Sequence, residues 1–200
     1  MTMILGLTGG IASGKSTADA FFEKMQIPVI DCDQIAHDIL KTGNQGYEKV
    51  IKQFGSEVLN TDSSLNRSKL GQIVFNDEKQ LEILNEITHP LIFTEIQAKI
   101  ALNKAKKSPI IVVDAPVLFE SNGQKYCDRT LLIAIPEKLQ LERLMQRDHL
   151  SQGAALKRIN SQMPLKQKEK LADYVITNTG SKKDLETKLE ELLLEIKGED

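Results

Sequence analysis

Residues Gly9–Ser16 read Gly-Gly-Ile-Ala-Ser-Gly-Lys-Ser and complete the spacing G-x-x-x-x-G-K-[ST]. The spacing is a physical device. Its glycines permit a backbone wrap whose N–H groups form an anion nest at the start of a helix. Lys15 then reaches the β- and γ-phosphates, and the Ser16 hydroxyl can ligate Mg2+. The flanks agree, because Met3–Leu7 is a short apolar run fit for a buried strand and Ser16–Met25 is compatible with a helix. A chance glycine-rich turn needs neither the lysine nor the hydroxyl. The expected contacts to a nucleoside triphosphate are Gly9, Gly10, Ile11, Ala12, Ser13, Gly14, Lys15, Ser16 and Thr17.

A strand feeding such a loop demands partners. Further strand-like runs follow at Ile27–Asp31, Pro109–Val113, Thr130–Ile135 and Tyr174–Thr177, with helical patterns between them. Strands alternating with helices predict an α/β fold built on a five-stranded parallel sheet. Leu185, Leu189, Leu192, Leu193 and Ile196 recur near helical spacing, so Ser181–Lys197 reads as an amphipathic closing helix. The chain, 1–200, is expected to be a single domain with one irregularity. More than seventy residues separate Asp31 from Pro109, where a simple crossover needs one helix. Helices are predicted at Asp33–Lys41, around Tyr47–Phe54, at Arg67–Phe75 and as a long pair around Glu78–Lys106. Pro90 marks a helix start inside that pair, since proline suits a first helical turn. This stretch, about 34–108, predicts a helical lobe that holds a second substrate.

Composition excludes several classes. A net charge of −2 and 4% aromatic residues leave no footprint for nucleic acid. No apolar run approaches a membrane span, and the N-terminus lacks the marks of a secretory signal. Cys32 and Cys127 are too few and too scattered for a disulfide framework or a zinc site. A cytoplasmic chain with reduced thiols, and no obligate protein partner, is the expectation.

Asp31-Cys32-Asp33 ends the second strand, near the edge where α/β sheets bind ligands. In extended chain the two carboxylates point the same way. Asp33 reads either as a helix N-cap or as a general base for a hydroxyl proton, with Asp31 orienting groups or helping to hold hydrated Mg2+. The company of a phosphate loop favours the base. Ile110–Asp114 is an apolar strand ending in a carboxylate, the pattern whose aspartate holds Mg2+ in phosphate-loop proteins. Arg143 and Arg147 stand four apart in the helical segment Glu137–Asp148, opposite Leu141, Leu144 and Met145. They read as a solvated face or as a lid, about 137–165, bringing guanidinium groups to a transferring phosphoryl; such arginines are worth ~10³–10⁵ in rate. His89, before Pro90, reads as closing a turn between helices or else as a substrate contact.

Taken together these residues resemble the dephospho-coenzyme A kinase family over nearly the whole chain. The likeness runs through Leu7–Thr17, Val29–Asp33, Phe54-Gly55, Arg67…Leu70 and Ile87–Pro90. It continues through Asp114–Glu120, Arg143…Arg147, Gln162 and Ala172–Asn178. Ala12 stands where the family often has glycine, Cys32 where alanine is usual, and Val117 where leucine is common; none removes a reactive group. The resemblance implies a P-loop kinase core with a helical acceptor-binding insertion and a lid. It implies phosphorylation of the ribose 3′-hydroxyl of dephospho-coenzyme A by ATP with Mg2+, the last step of coenzyme A synthesis. Lys15, Asp33 and Arg143 would then be catalytic, with Arg147 and Asn178 added to the ATP contacts. Ser16 and Asp114 would serve the metal, and Thr8, Asp31, Arg67 and His89 the acceptor.

Other readings compete. Another small-molecule kinase would share loop and lid but use a different acceptor. A GTP switch would carry Asn-Lys-x-Asp, which Asn103-Lys104-Ala105-Lys106 approaches without the aspartate. A non-catalytic nucleotide sensor would need no base such as Asp33.

Overall fold

The strands of the computed structural model, which describes residues 2–198, stand in the order β2-β3-β1-β4-β5. They are β1 (Met3–Gly9), β2 (Val29–Asp31), β3 (Ile110–Asp114), β4 (Arg129–Ala134) and β5 (Tyr174–Thr177). β1 pairs in parallel with β3 and β4, and β4 with β5, in registers that set Leu5 beside Val112, Leu7 beside Leu131 and Ile133 beside Ile176. β1 and β3 are apolar almost throughout because a central parallel strand is covered on both faces. From β1 the chain leaves towards β2, and from β4 it leaves in the opposite direction towards β5. The crevice where these connections part lies beyond the carboxyl ends of β1 and β4. The phosphate loop begins there.

Helices follow as α1 (Lys15–Lys24), α2 (Cys32–Asp38), α3 (Gln45–Phe54), α4 (Arg67–Phe75), α5 (Glu78–Ala105), α6 (Glu137–Asp148), α7 (Gln152–Asn160), α8 (Leu165–Glu169) and α9 (Lys182–Gly198). The chain separates into two compact units, Met1–Ile30 with Asn103–Asp200, and Asp31–Leu102. In the first, Leu185, Leu189, Leu192, Leu193 and Ile196 of α9 share one core with Ala18, Phe21 and Phe22 of α1 and with the sheet. The Phe21 and Phe22 rings meet edge to face at 5.6 Å. In the second, Tyr47, Val50 and Phe54 of α3 pack with Val58, Leu65, Leu70 and Val74 in a separate core.

The largest departure from expectation is α5. It runs unbroken for 28 residues with Pro90 inside, so the pair of helices is one helix and His89 closes no turn. Proline's fixed φ is compatible with a helix; what it removes is one amide and some steric room. His89 and Pro90 lie on an exposed face, where water can satisfy the carbonyl left without its donor. At the sheet's edge, the strand predicted over Ile27–Asp31 forms only from Val29. The chain turns helical at Cys32, so the extended-chain argument for Asp31 and Asp33 does not apply.

Candidate active site

The loop after β1 closes by short backbone bonds. Ser13 N–H donates to Gly10 O at 3.0 Å, and Thr17 and Ala18 N–H donate to Gly14 O at 2.9 and 3.2 Å. Gly14 caps α1 at φ +100°, a left-handed conformation, and a Cβ there would collide with Asn178 Nδ2. The leading amides of α1 form the positive end of the helix, where backbone N–H groups lack a full set of intrahelical acceptors. Lys15 opens the helix and Ser16 follows, exposed. Such an end suits an anion.

Lys15 Nζ binds the Asp114 carboxylate at the end of β3 and lies 3.5 Å from Asp19 Oδ2. The Asp114 side chain is only 5% exposed, and the ammonium offsets the cost of burying its charge. The contact follows from topology. β1 and β3 are neighbours, with Leu7 in register with Asp114, so loop and carboxylate emerge at one edge.

Behind the loop stand three amide side chains. Asn178, just past β5, donates through Nδ2 to Ser13 O at 2.7 Å. Gln140 of α6 donates through Nε2 to Ile11 O at 2.9 Å, and Ile11 N–H donates to Gln162 Oε1 at 3.0 Å. Asn178 Oδ1 and Ser13 Oγ are buried without a hydrogen-bond partner. Arg143 of α6 donates to Gly180 O at 3.1 Å and to Asn178 O at 3.4 Å, which ties it to the segment carrying Asn178. Arg147 is exposed and paired with Asp148 at 2.7 Å; Arg158 reaches the same carboxylate at 2.5 Å. The hydrogen bond from Arg147 holds the Asp148 carboxyl below its ordinary range, and the same bond raises Arg147.

Thr8, in β1, is buried, and its hydroxyl donates to Pro116 O at 3.1 Å. The same carbonyl accepts from Lys168 Nζ at 2.7 Å, and this fully buried ammonium pairs with Glu120 at 2.9 Å. Glu120 also accepts from Met163 N–H at 3.0 Å. Burial of the Cys127 thiol, helped by the Asp128 charge, pushes it up to about 12, so it is inert at neutral pH.

In the helical unit, Asp31 is the N-cap of α2, accepting from Gln34 N–H at 2.8 Å, while Asp33 lies in the first turn and is exposed. The cap expected of Asp33 therefore belongs to Asp31. Arg67 donates to His37 O at 3.0 Å, and His89 is exposed within α5. A cavity of about 390 Å³ opens in this unit among Ile35, Asn44, Gly46, Leu91, Thr94 and Lys99.

Gln140 and Lys168 escaped the sequence reading. Gln140 sits four residues before Leu144, on the buried stripe of α6, and a polar residue on that stripe was its available signal. Lys168 lies in the run Lys166-Gln-Lys-Glu-Lys170, which reads as solvated, and its partners are far away in sequence.

Comparison with known proteins agrees over the full length. A family model described as dephospho-CoA kinase matches residues 3–184. A dephospho-CoA kinase of Lactobacillus johnsonii is 53% identical over 196 residues, covering 98% of this chain and 99% of that one. Among solved structures, a Thermus thermophilus protein superposes with TM-score 0.84 at 32% identity, covering 97% of each chain. A dephospho-CoA kinase from Campylobacter jejuni superposes with TM-score 0.76 at 33% identity, covering all of both chains.

Proposed function

The chain belongs to the dephospho-CoA kinase family, and on that premise we propose that it transfers the γ-phosphoryl of ATP to the ribose 3′-hydroxyl of dephospho-coenzyme A, giving coenzyme A and ADP. The observation that carries the reading is the Lys15–Asp114 contact at the mouth of a complete phosphate loop. It sets a cation and a carboxylate where a Mg-nucleotide needs both. In the proposed complex Lys15 leaves its carboxylates for the β- and γ-phosphates, and residues Gly9–Thr17 wrap them.

Among the described residues no group of three His, Cys, Asp or Glu is placed to cage a metal. Mg2+ brought in by a nucleotide needs no cage. It keeps several waters and takes one or two oxygen ligands besides the phosphates. The Ser16 hydroxyl and the Asp114 carboxylate are oxygen donors of that kind, and the bound ion would supply charge neutralisation.

Asp33 is proposed to take the proton of the attacking hydroxyl, because Asp31 already commits a carboxylate oxygen to the α2 amide. Arg143 and Arg147 are proposed to offset charge as the phosphoryl moves. Each would first exchange its present partners, the Asn178 and Gly180 carbonyls or Asp148. Because the transition state is loose, charge placement outweighs base strength. Asn178 is assigned to the adenine, which its side chain would meet only after Nδ2 leaves the Ser13 carbonyl and Oδ1 leaves its buried position. The stretch 34–108 is proposed to bind the acceptor, with Asp31, Arg67 and His89. Its cavity has the size of a small-molecule site. Thr8 is buried with its hydroxyl on Pro116 O, so the acceptor contact expected of it is not proposed. The stretch 137–165 is proposed as the lid, and the enzyme is placed in the cytoplasm without nucleic acid, membrane or obligate protein partner.

The test is ADP release with Mg-ATP and a panel of acceptors. Dephospho-coenzyme A is expected to be used well and to yield coenzyme A. Robust turnover on a different hydroxyl, with none on dephospho-coenzyme A, would sink the reading.

A further inference from the structure

Ile11, in the phosphate loop, has both of its backbone polar groups held by side chains from elsewhere. Its carbonyl accepts from Gln140 Nε2 at 2.9 Å and its N–H donates to Gln162 Oε1 at 3.0 Å. The chemistry fixes which way each amide points. A carbonyl can face only the NH2 of Gln140, and an N–H only the oxygen of Gln162. Gln140 is 3% exposed and lies hard against the loop, since a Cβ on Gly10 would come within 2.7 Å of its Nε2.

The two glutamines come from α6 and from the connection between α7 and α8, and both are anchored in turn. Gln140 lies three residues before Arg143, on the helix whose arginine holds the Asn178–Gly180 segment. Gln162 precedes Met163, whose N–H donates to Glu120, the partner of buried Lys168. Loop, α6 and the segment after β3 are thereby joined through one residue.

We propose that Gln140 and Gln162 are positioning residues that pin Ile11 and so preset the phosphate loop against α6 before nucleotide arrives. Neither side chain is assigned to touch the reacting atoms. A loop already shaped loses less freedom on binding phosphate, so the clamp acts on nucleotide affinity. The inference rests on the reading of this loop as the ATP site, but not on which acceptor is phosphorylated.

The two hydrogen bonds run in opposite directions, and that supplies the test. Gln162→Glu keeps an acceptor oxygen for the Ile11 amide, whereas Gln162→Leu removes it. Hydrogen exchange of the Ile11 amide, read by NMR on nucleotide-free protein, is expected to stay slow in Gln162→Glu. In Gln162→Leu it is expected to speed up about tenfold, equivalent to about 1.4 kcal/mol and in line with one hydrogen bond. Mg-ADP binding, measured by calorimetry on Gln162→Leu and Gln140→Leu, is expected to weaken about tenfold, with KM for the acceptor unchanged. If Gln140→Leu fails to fold, the two substitutions at half-buried Gln162 decide the matter alone. Wild-type exchange at Ile11 in Gln162→Leu, equal exchange in the two Gln162 variants, or wild-type Mg-ADP affinity would each overturn the proposal. Failure of the acceptor assignment would leave these readouts untouched, because none of the exchange or binding measurements uses an acceptor.

Discussion

Lys15 of the phosphate loop is seated on the Asp114 carboxylate that ends β3. Its side chain is 19% exposed and that of Asp114 only 5%, so the pair is a charged junction between α1 and the sheet. Asp19, one turn along α1, adds a second carboxylate at 3.5 Å. Without nucleotide, therefore, the loop's cation is held by the protein, and phosphate must compete for it.

Lys15→Ala is accordingly expected to do two things. It abolishes the phosphate contact, lowering turnover by ~10²-fold or more. It also leaves a buried carboxylate without its ammonium, at a cost of about 3 kcal/mol. Adding Asp114→Asn is expected to recover the melting temperature but not the activity. Thermal melts and ADP release separate these outcomes. A single variant that melts like the parent would show that the ion pair contributes nothing.

Lys168 is fully buried, with its ammonium shared between Pro116 O and Glu120. Lys168→Met keeps the stem and removes the donor. It is expected to destabilise the fold by about 1 kcal/mol, the worth of one hydrogen bond, because Pro116 O keeps the Thr8 hydroxyl. Glu120 is 25% exposed and can rehydrate, so adding Glu120→Gln is expected to return part of the loss. Urea denaturation of the single and double variants checks both statements.

Acid should report on Asp148. Its carboxyl is held below the ordinary 3.8, first by the Arg147 hydrogen bond and further by the charges of Arg147 and Arg158. A carboxyl depressed in the folded state stabilises the fold above the unfolded value. That contribution fades as pH falls from 3.8 through the lower folded value. Melting curves of the parent and Asp148→Asn are expected to differ most above about pH 5 and to converge in stronger acid. A constant gap across the range would remove the linkage.

What could be read from the sequence was local. The phosphate loop, the helix Arg67–Phe75 and the strand Tyr174–Thr177 each declare themselves within a few consecutive residues, and α4 and β5 have those bounds. Pro90 misled because a helix boundary and a tolerated proline look alike when only neighbours are visible. The roles of Asp31 and Asp33 were blurred because a two-residue shift in where α2 begins decides which of them caps it. The contacts of Gln140 and Lys168 were invisible for a different reason. Their partners lie 129 and 52 residues away, and no periodicity encodes a contact at that range.

Asp33 carries the last expectation. Asp31 already caps α2 through Gln34 N–H, so substituting it tests a helix end: Asp31→Asn keeps a competent cap and should leave stability nearly intact. Asp33 lies in the first turn of α2 with its side chain exposed, and the N-cap of that helix is Asp31. Asp33→Asn preserves shape and removes basicity, so kcat is expected to fall ~10²–10⁴-fold, the usual contribution of a placed proton acceptor. Nucleotide affinity should change little. Asp114→Asn should instead raise the Mg2+ concentration needed for half-maximal rate, because that carboxylate is assigned to the metal. Turnover and Mg2+ titrations of the two variants, run side by side, decide between the roles. A near-normal kcat in Asp33→Asn, or a metal defect there with chemistry intact, would mean the proton leaves by another group.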